Sequence, residues 1–242
     1  MERVLAQSFK NFEYLIIDGA SKDRTLSIIQ SYTDPRIRLV SEKDKGIYDA
    51  MNKGIAQAKG EWIYFMNAGD HFHDEHVLRD LFETTRLDSC DLLYGKAVLK
   101  NHPSGVDIVI QNEIDIKAFY FSIALCHQVV FTRKNLFSQL GLFKLDFPVL
   151  AEQEWFVRYF TKQNRSLFVN RIVVDYDTMG NSYKKRIIGI KECNRYGWEN
   201  FPLHINLLRM LRHPFLIGKV YTLRALQNNP VYAAYRKMRY AS

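Results

Sequence analysis

Glu61-Trp62-Ile63-Tyr64-Phe65-Met66-Asn67-Ala68-Gly69-Asp70 is the stretch on which the reading of this chain turns. An apolar, aromatic run stops at a small-residue turn, and the turn delivers a carboxylate. In an open α/β sheet, ligands bind at the carboxyl ends of strands. An acid in that place can hold a divalent cation against a diphosphate. Taken alone, Asn-Ala-Gly-Asp also reads as an ordinary turn, so its meaning depends on the surrounding sequence.

Upstream, residues 12–17 form a short β-branched and aromatic run that ends at Asp18-Gly19, a strand-then-turn signal. Residues 25–32 have helical spacing and stop at Asp34-Pro35. Residues 37–40 read as a second strand. Residues 46–58 read as a helix with Ile47, Met51, Ile55 and Ala58 on one face. Strand, helix, strand, helix, strand is the order of a parallel sheet with crossover helices. Downstream, a helix is expected over 77–85, strands over 91–95, 106–110, 128–131 and 166–174, and a helix over 152–161. Residues 114–121 are ambiguous. From Lys184 the pattern is helical and basic, with Pro202, Pro214 and Pro230 as punctuation.

The 242 residues suit one sizeable domain with an appendage. The formal charge of +8 suits an anionic partner, and it thickens after Lys184. Cys90, Cys126 and Cys193 are odd in number and widely spaced, which argues against a disulfide framework or a zinc site. Met1-Glu2-Arg3-Val4-Leu5-Ala6-Gln7 lacks the apolar core of a secretory signal, and no apolar run is long enough to span a bilayer. A cytoplasmic location follows, with peripheral contact at the inner face of the membrane. Residues 203–225 mix apolar residues with Arg209, Arg212, Lys219 and Arg224, and residues 232–240 add Arg236, Lys237 and Arg239. Such a tail can lie on an anionic membrane. Equally, it reads as a helix pair packed on the core with a solvated basic face. No nucleic-acid motif accompanies the charge, so nucleic acid is not an expected partner.

Three blocks in order resemble the family 2 glycosyltransferases of the GT-A fold. They are Phe12-Glu13-Tyr14-Leu15-Ile16-Ile17-Asp18-Gly19-Ala20-Ser21-Lys22-Asp23-Arg24-Thr25, Gly46-Ile47-Tyr48-Asp49-Ala50-Met51-Asn52-Lys53-Gly54, and Gly60 to Asp70. Ala151-Glu152-Gln153-Glu154-Trp155 is a weaker fourth. The nearest flavour is that of bacterial enzymes building exopolysaccharide or O-antigen repeat units. The resemblance implies a Rossmann-like, mixed and mostly parallel sheet flanked by helices, spanning residues 1–183, with a helical basic extension over 184–242. It implies inverting transfer from a nucleotide sugar, UDP-linked, to a hydroxyl of a glycan or lipid-linked acceptor.

The resemblance also assigns roles. Asp18 is expected to accept the uracil N3–H, with Ser21 beside it; an Asp before Gly is also common in any turn. Asn67 and Asp70 stand where the family carries its Asp-x-Asp-type motif for Mn²⁺ or Mg²⁺. The first acid is replaced, so Asp70 is the expected metal ligand, and Asn67 is left for the ribose or a metal-bound water. Asp44 and Asp49 are expected near the ribose or base, with Lys43 and Lys45 facing the diphosphate or simply solvated. Glu152, or else Glu154, is the expected general base on the acceptor hydroxyl; both also suit a helix N-terminus. His127 is expected to line the acceptor or pyrophosphate pocket, and Gly180-Asn181-Ser182 to form a loop over the donor.

Family members usually begin with an apolar strand and a Pro-Thr-Tyr-Asn-like turn. Residues 1–9 match the helix that normally follows them. The expectation is a nucleotide-binding sheet without that strand, at a cost in stability or activity. The competing reading is a non-catalytic, degenerate member of the same family that binds without turnover.

Overall fold

The computed structural model describes residues 1–100, 107–110, 113–162, 165–177 and 186–225. The loop expected at Gly180-Asn181-Ser182, the boundary at residue 183 and the basic run of 232–240 lie outside the described residues. The chain opens with α1 (Glu2–Leu5), β1 (Tyr14–Asp18), α2 (Thr25–Gln30), β2 (Ile37–Ser41), α3 (Ile47–Gln57) and β3 (Trp62–Tyr64). This is the alternation read from the sequence. Next come β4 (His71–Phe72), α4 (Val77–Phe82), β5 (Leu92–Lys100) and β6 (Ile108–Ile110). Short 3₁₀ turns at Ile116–Tyr120 and His127–Val129 lead to β7 (Val130–Arg133) and α5 (Asn135–Leu140). The remainder is α6 (Ala151–Lys162), β8 (Ser166–Asp177), α7 (Arg186–Asn200) and α8 (Leu203–Ala225).

The fold is α/β, a mixed sheet with helices packed on it. β1 and β2 pair in parallel, with Asp18 opposite Ser41 at their carboxyl ends. The larger sheet runs β3-β7-β5-β8-β4, with β6 on β5. Among the described residues no ladder joins the two sheets. Strand direction differs from the mostly parallel expectation. Parallel pairing holds for β1–β2 and β5–β8, whereas β3–β7, β5–β7, β5–β6 and β4–β8 are antiparallel. The reason is β7, which runs back between β3 and β5, so neither neighbour is reached in parallel. At the β5–β8 ladder the register shifts on either side of Lys96. Gly95 sits in that irregularity, and a Cβ there would collide with the Arg171 carbonyl and the Val173 side chain.

The core lies between the larger sheet and α6. Trp155, Tyr159, Phe119, Phe147 and Tyr196 are fully buried. Trp155 packs against Phe137 at 4.8 Å between ring centres, and its indole N–H donates to the Gly141 carbonyl at 2.8 Å. Rings of this size carry most of the apolar area removed from water. They fix α6, and so fix the residues at its start. A second clamp comes from α7. The Glu192 carboxylate accepts from the backbone N–H groups of Val149 (3.2 Å) and Leu150 (2.7 Å), just before α6. Among the described residues no helix is long and apolar enough to cross a membrane.

Candidate functional site

The first cluster forms where β1 and β2 end. Parallel register brings Ser41 beside Asp18, and the turn returns Ser21 to it. The buried Asp18 carboxylate accepts from the Ser21 N–H at 3.0 Å and the Ser41 hydroxyl at 2.7 Å. Hydrogen bonding from the Ser21 side chain, then from the Ser41 side chain, holds its pKa below the usual carboxylate value. Ala20 adopts the left-handed conformation, with φ of 64°. Gly19 has a second constraint: a Cβ there would strike the Asp44 carboxylate. Asp18, Ser21 and Asp44 therefore share one corner. Asp44 also accepts from the Gly46 N–H at 2.8 Å. Asp49 does other work, accepting from the Lys45 N–H at 2.9 Å and pairing with Lys53 at 3.7 Å. It serves the start of α3. Lys43 and Lys45 are exposed.

The second cluster forms beyond β3. Asp70 closes the turn by donating its N–H to the Asn67 carbonyl at 3.1 Å, and Gly69 takes φ of 99°. Asn67 Nδ2 lies 3.0 Å from His127 Nε2. The other ring nitrogen, Nδ1, lies 3.9 Å from Glu152 Oε1. The Tyr48 hydroxyl contacts Glu152 Oε2 and lies 2.7 Å from the Val149 carbonyl. Asn67, His127, Glu152 and Tyr48 thus form one continuous line from the turn after β3, through the 3₁₀ turn, to the starts of α6 and α3.

Burial sets the electrostatics of that line. It pushes Glu152 up to about 7, against the hydrogen bond from Tyr48, which lowers it. It pulls His127 down to about 4, so the ring is neutral at physiological pH. With Asn67 donating to Nε2, the ring proton sits on Nδ1, toward Glu152. Burial also holds the Tyr48 phenol far above its ordinary 10. Its single hydrogen goes to Glu152 when that carboxylate is ionised, and to Val149 when Glu152 carries its own proton. A glutamate that titrates near neutrality inside a hydrogen-bonded pocket has the profile of a general base.

Glu154 does not share this place. Two residues further along α6, it turns to the opposite side and is fully buried. There it meets Lys144 at 2.9 Å and Arg158 at 2.9 Å. A carboxylate neutralised by two cations is an anchor, so the second candidate base is corrected to a structural ion pair. Asp49 is likewise a helix-start residue rather than a member of the Asp18 corner.

Asp70 is the carboxylate that a divalent ion would use. Among the described residues no group of three or more His, Cys, Asp or Glu side chains could hold a metal unaided. The donor set fits an ion that takes most of its oxygens from substrate phosphates and water, the habit of Mg²⁺. Asp70 lies close enough to Tyr64 and Cys126 for its charge to help raise both pKa values. This connects it to the His127 end of the line.

Residues 1–143 match the family described as Glycosyl transferase family 2. The chain belongs to that family. A protein from Mycobacterium bovis (strain BCG / Pasteur 1173P2), named PGL/p-HBAD biosynthesis glycosyltransferase, is 28% identical over 187 residues, covering 74% of this chain and 71% of that one. An uncharacterized glycosyltransferase of Rickettsia typhi (strain ATCC VR-144 / Wilmington) is 26% identical over 152 residues, covering 59% of this chain and 48% of its own. Among solved structures, S. aureus TarS 1-349 in complex with UDP-GlcNAc aligns with a TM-score of 0.65 at 15% identity, covering 98% of this chain and 73% of that one. The mannosyltransferase PcManGT from Pyrobaculum calidifontis, in complex with GDP-Man and Mn²⁺, aligns with a TM-score of 0.64 at 15% identity, covering 97% and 72%. These neighbours share the GT-A fold. The protein is a glycosyltransferase.

Within this family 2 chain, Ser41, Tyr48 and Glu192 went unnoticed in the sequence. Ser41 had a usable signal, because parallel pairing of 14–18 with 37–41 puts it opposite Asp18. Tyr48 and Glu192 had none, since their partners are 104 and 42 to 43 residues away.

Proposed function

We propose that this glycosyltransferase moves a hexosyl or N-acetylhexosaminyl group from a UDP-linked donor to a hydroxyl of a glycan or lipid-linked acceptor, with inversion, in cell-surface polysaccharide synthesis. The observation that carries the reading is the line Asn67–His127–Glu152–Tyr48, which ends on a carboxyl group titrating near 7. Asp18 accepts from the uracil N3–H, with Ser21 and Ser41 holding its carboxylate in place. Asp44, packed over Gly19, faces the ribose. Asp70 would hold Mn²⁺ or Mg²⁺, and the chemistry such an ion would supply is neutralisation of charge on the leaving group. Asn67 is occupied by His127 and contributes position rather than charge.

Glu152 takes the proton of the acceptor hydroxyl as its oxygen bonds to the anomeric carbon. The bond from that carbon to the diphosphate breaks, and the nucleoside diphosphate leaves with the electron pair. One displacement from the opposite face inverts the centre and needs no covalent intermediate. His127, neutral and hydrogen-bonded, holds its Nδ1 proton toward Glu152.

Residues 1–183 form the catalytic part, and 184–242 the extension that touches the inner face of the cytoplasmic membrane. Apart from the buried Arg209, the segment from Leu203 to Ser242 carries Arg212, Lys219, Arg224, Arg236, Lys237 and Arg239 and no Asp or Glu. Each such cation contributes about 1 kcal/mol near an anionic leaflet. A panel of nucleotide sugars with Mn²⁺, read by release of nucleoside diphosphate, tests the reaction; NMR of the product anomer tests inversion. Binding of UDP without turnover on any donor and acceptor, or retention at the anomeric centre, would overturn the reading.

A further inference from the structure

Behind the segment that leads into α6 lies a cavity of about 280 Å³. Its walls are the 120–123 stretch, Val149 and Leu150, and the facing sides of α7 and α8. Ile123, Leu150, Ile190, Leu216 and Val220 make it apolar. No Asp or Glu lines it, while Arg209 and Arg212 do. Arg209 is only 7% exposed. Its guanidinium donates to the carbonyls of Phe119, Tyr120 and Cys193, and among the described residues no carboxylate pairs with it. Its Nε has no hydrogen-bond partner there. Arg212 donates to the Phe121 carbonyl at 3.0 Å, at the solvent side of the same wall.

A buried cation without a counter-charge is unfavourable, and an anion brought alongside relieves it. Next to an apolar cavity, the ligand chemistry that satisfies both is an anionic head on a hydrocarbon chain. The outer side of α8 extends the apolar surface. Leu203, Leu207, Leu211 and Phe215 recur every fourth residue and are 50% to 79% exposed. A helix apolar on both sides is not at rest in water.

We propose that this cavity takes the hydrocarbon chain of a lipid phosphate, with its phosphate facing Arg209 and Arg212, and that this lipid carries the acceptor. The proposal rests on the reading above that the acceptor is lipid-linked. Position favours the acceptor over a bystander lipid. Val149 and Leu150, which wall the cavity, immediately precede the helix that bears Glu152, so a chain seated here brings its head to the edge of the site. An engineered cavity of ~150 Å³ holds one benzene. The volume here therefore suits about a dozen carbons at the head end of a longer chain. The remainder would run along the exposed stripe of α8.

The test is calorimetry on the full chain with three probes: farnesyl phosphate, dihexanoyl phosphatidylglycerol below its aggregation concentration, and inorganic phosphate. We expect saturable farnesyl phosphate binding at least tenfold tighter than either other probe. Leu216→Trp, which fills the cavity, should weaken it at least tenfold, as should Arg212→Gln, with the melting temperature near wild type. Arg212 is exposed, so its variant decides the matter if Leu216→Trp fails to fold. Farnesyl phosphate binding no tighter than inorganic phosphate, or unmoved by the substitutions, overturns the cavity site. Tighter binding of the phosphatidylglycerol overturns the acceptor assignment and gives the cavity to a bilayer lipid. Transfer to a lipid-linked acceptor that ignores both substitutions refutes this inference while leaving the proposed reaction standing. Cavity binding without any transfer to such an acceptor overturns the claim that this lipid carries the acceptor and leaves the reaction with a glycan acceptor.

Discussion

Replacing Tyr48 by Phe removes a hydroxyl that touches Glu152. That bond favours the ionised carboxylate and works against the burial that lifts Glu152 to about 7. A hydrogen bond to a charged group contributes roughly 1.5–3 kcal/mol. At about 1.4 kcal/mol per pH unit, its loss moves the Glu152 titration up to between about 8 and 9. If the ionised form is the base, about half of the wild-type enzyme is competent at pH 7, against roughly 1–10% of Tyr48→Phe. The expected result is a kcat lower by about 5- to 50-fold at pH 7, recovering above pH 9. The assay is release of nucleoside diphosphate at saturating donor from pH 5.5 to 10. A uniform drop at every pH, with the inflection unmoved, would refute the argument that Tyr48 sets the basicity of Glu152. A profile without an inflection near 7 in the wild type would remove Glu152 as the base. The phenol also bonds the Val149 carbonyl, so the variant should melt earlier by about 1–3 kcal/mol of stability. A melting curve run beside the assay keeps the two effects apart.

Glu152→Gln should cut kcat by roughly 10²- to 10⁴-fold while leaving UDP binding within about threefold, read by steady-state kinetics beside calorimetry. Glu152 and His127 should pull stability in opposite directions with pH. Glu152 binds its proton more tightly folded (about 7, ordinarily 4.5), so it costs stability as pH rises from 4.5 to 7. His127 binds its proton less tightly folded (about 4, ordinarily 6.5), so stability is lost as pH falls from 6.5 to 4. Each is worth on the order of 3 kcal/mol. Urea midpoints should therefore fall with acid in Glu152→Gln and rise with acid in His127→Gln, and parallel curves would contradict this. Asp18→Asn should raise the Kd for UDP about 10- to 100-fold, since an amide can present a donor where the uracil N3–H needs an acceptor; an unchanged Kd by isothermal titration would contradict this. Asp70→Ala should abolish the dependence of UDP affinity on Mn²⁺, and a metal response equal to wild type would exclude Asp70 as the ligand.

The parts of the fold legible in the sequence are those with a strong period and a clear stop. β1, β2 and α3 fell within a residue or two of expectation because β-branched runs end at Asp-Gly and a helical stripe ends before Gly60. β4 is two residues long, too short for any period, and α5 lies inside a stretch whose Phe and Leu spacing fits helix and strand alike. Strand direction was the larger gap. Local spacing predicts a crossover, but it does not say which strand slots between which, and β7 inserts against the run of β3 and β5. The same limit applies to the site. Asp18 and Asn67-Asp70 are turn residues at strand ends and could be read locally. The division of labour between Glu152 and Glu154 could not, because it depends on Tyr48 on one side of α6 and on Lys144 and Arg158 on the other.

The amide at Asn67, where the family resemblance leads one to expect an acid, acquires a reason from this geometry. An aspartate in its place would set a negative charge about 3 Å from His127 Nε2, at the distance the amide now occupies. Opposite charge that close favours the imidazolium and raises a histidine pKa by about 1–3 units. His127 would then climb from about 4 toward its ordinary value and carry charge in a larger share of molecules as pH falls below 7. Its Nδ1 lies 3.9 Å from Glu152, so the new cation would pull the glutamate down from about 7. A carboxylate with an ordinary pKa is a poor proton acceptor at neutrality. The asparagine keeps the line from Asn67 to Tyr48 free of charge except at Glu152. Under the proposed function the cost would fall on metal binding, because Asp70 would be the acid left to hold a divalent ion there. If Glu152 is the base, as proposed, an amide at position 67 and the basicity of the glutamate would be two consequences of one electrostatic arrangement, and Asn67 would not by itself mark a dead site.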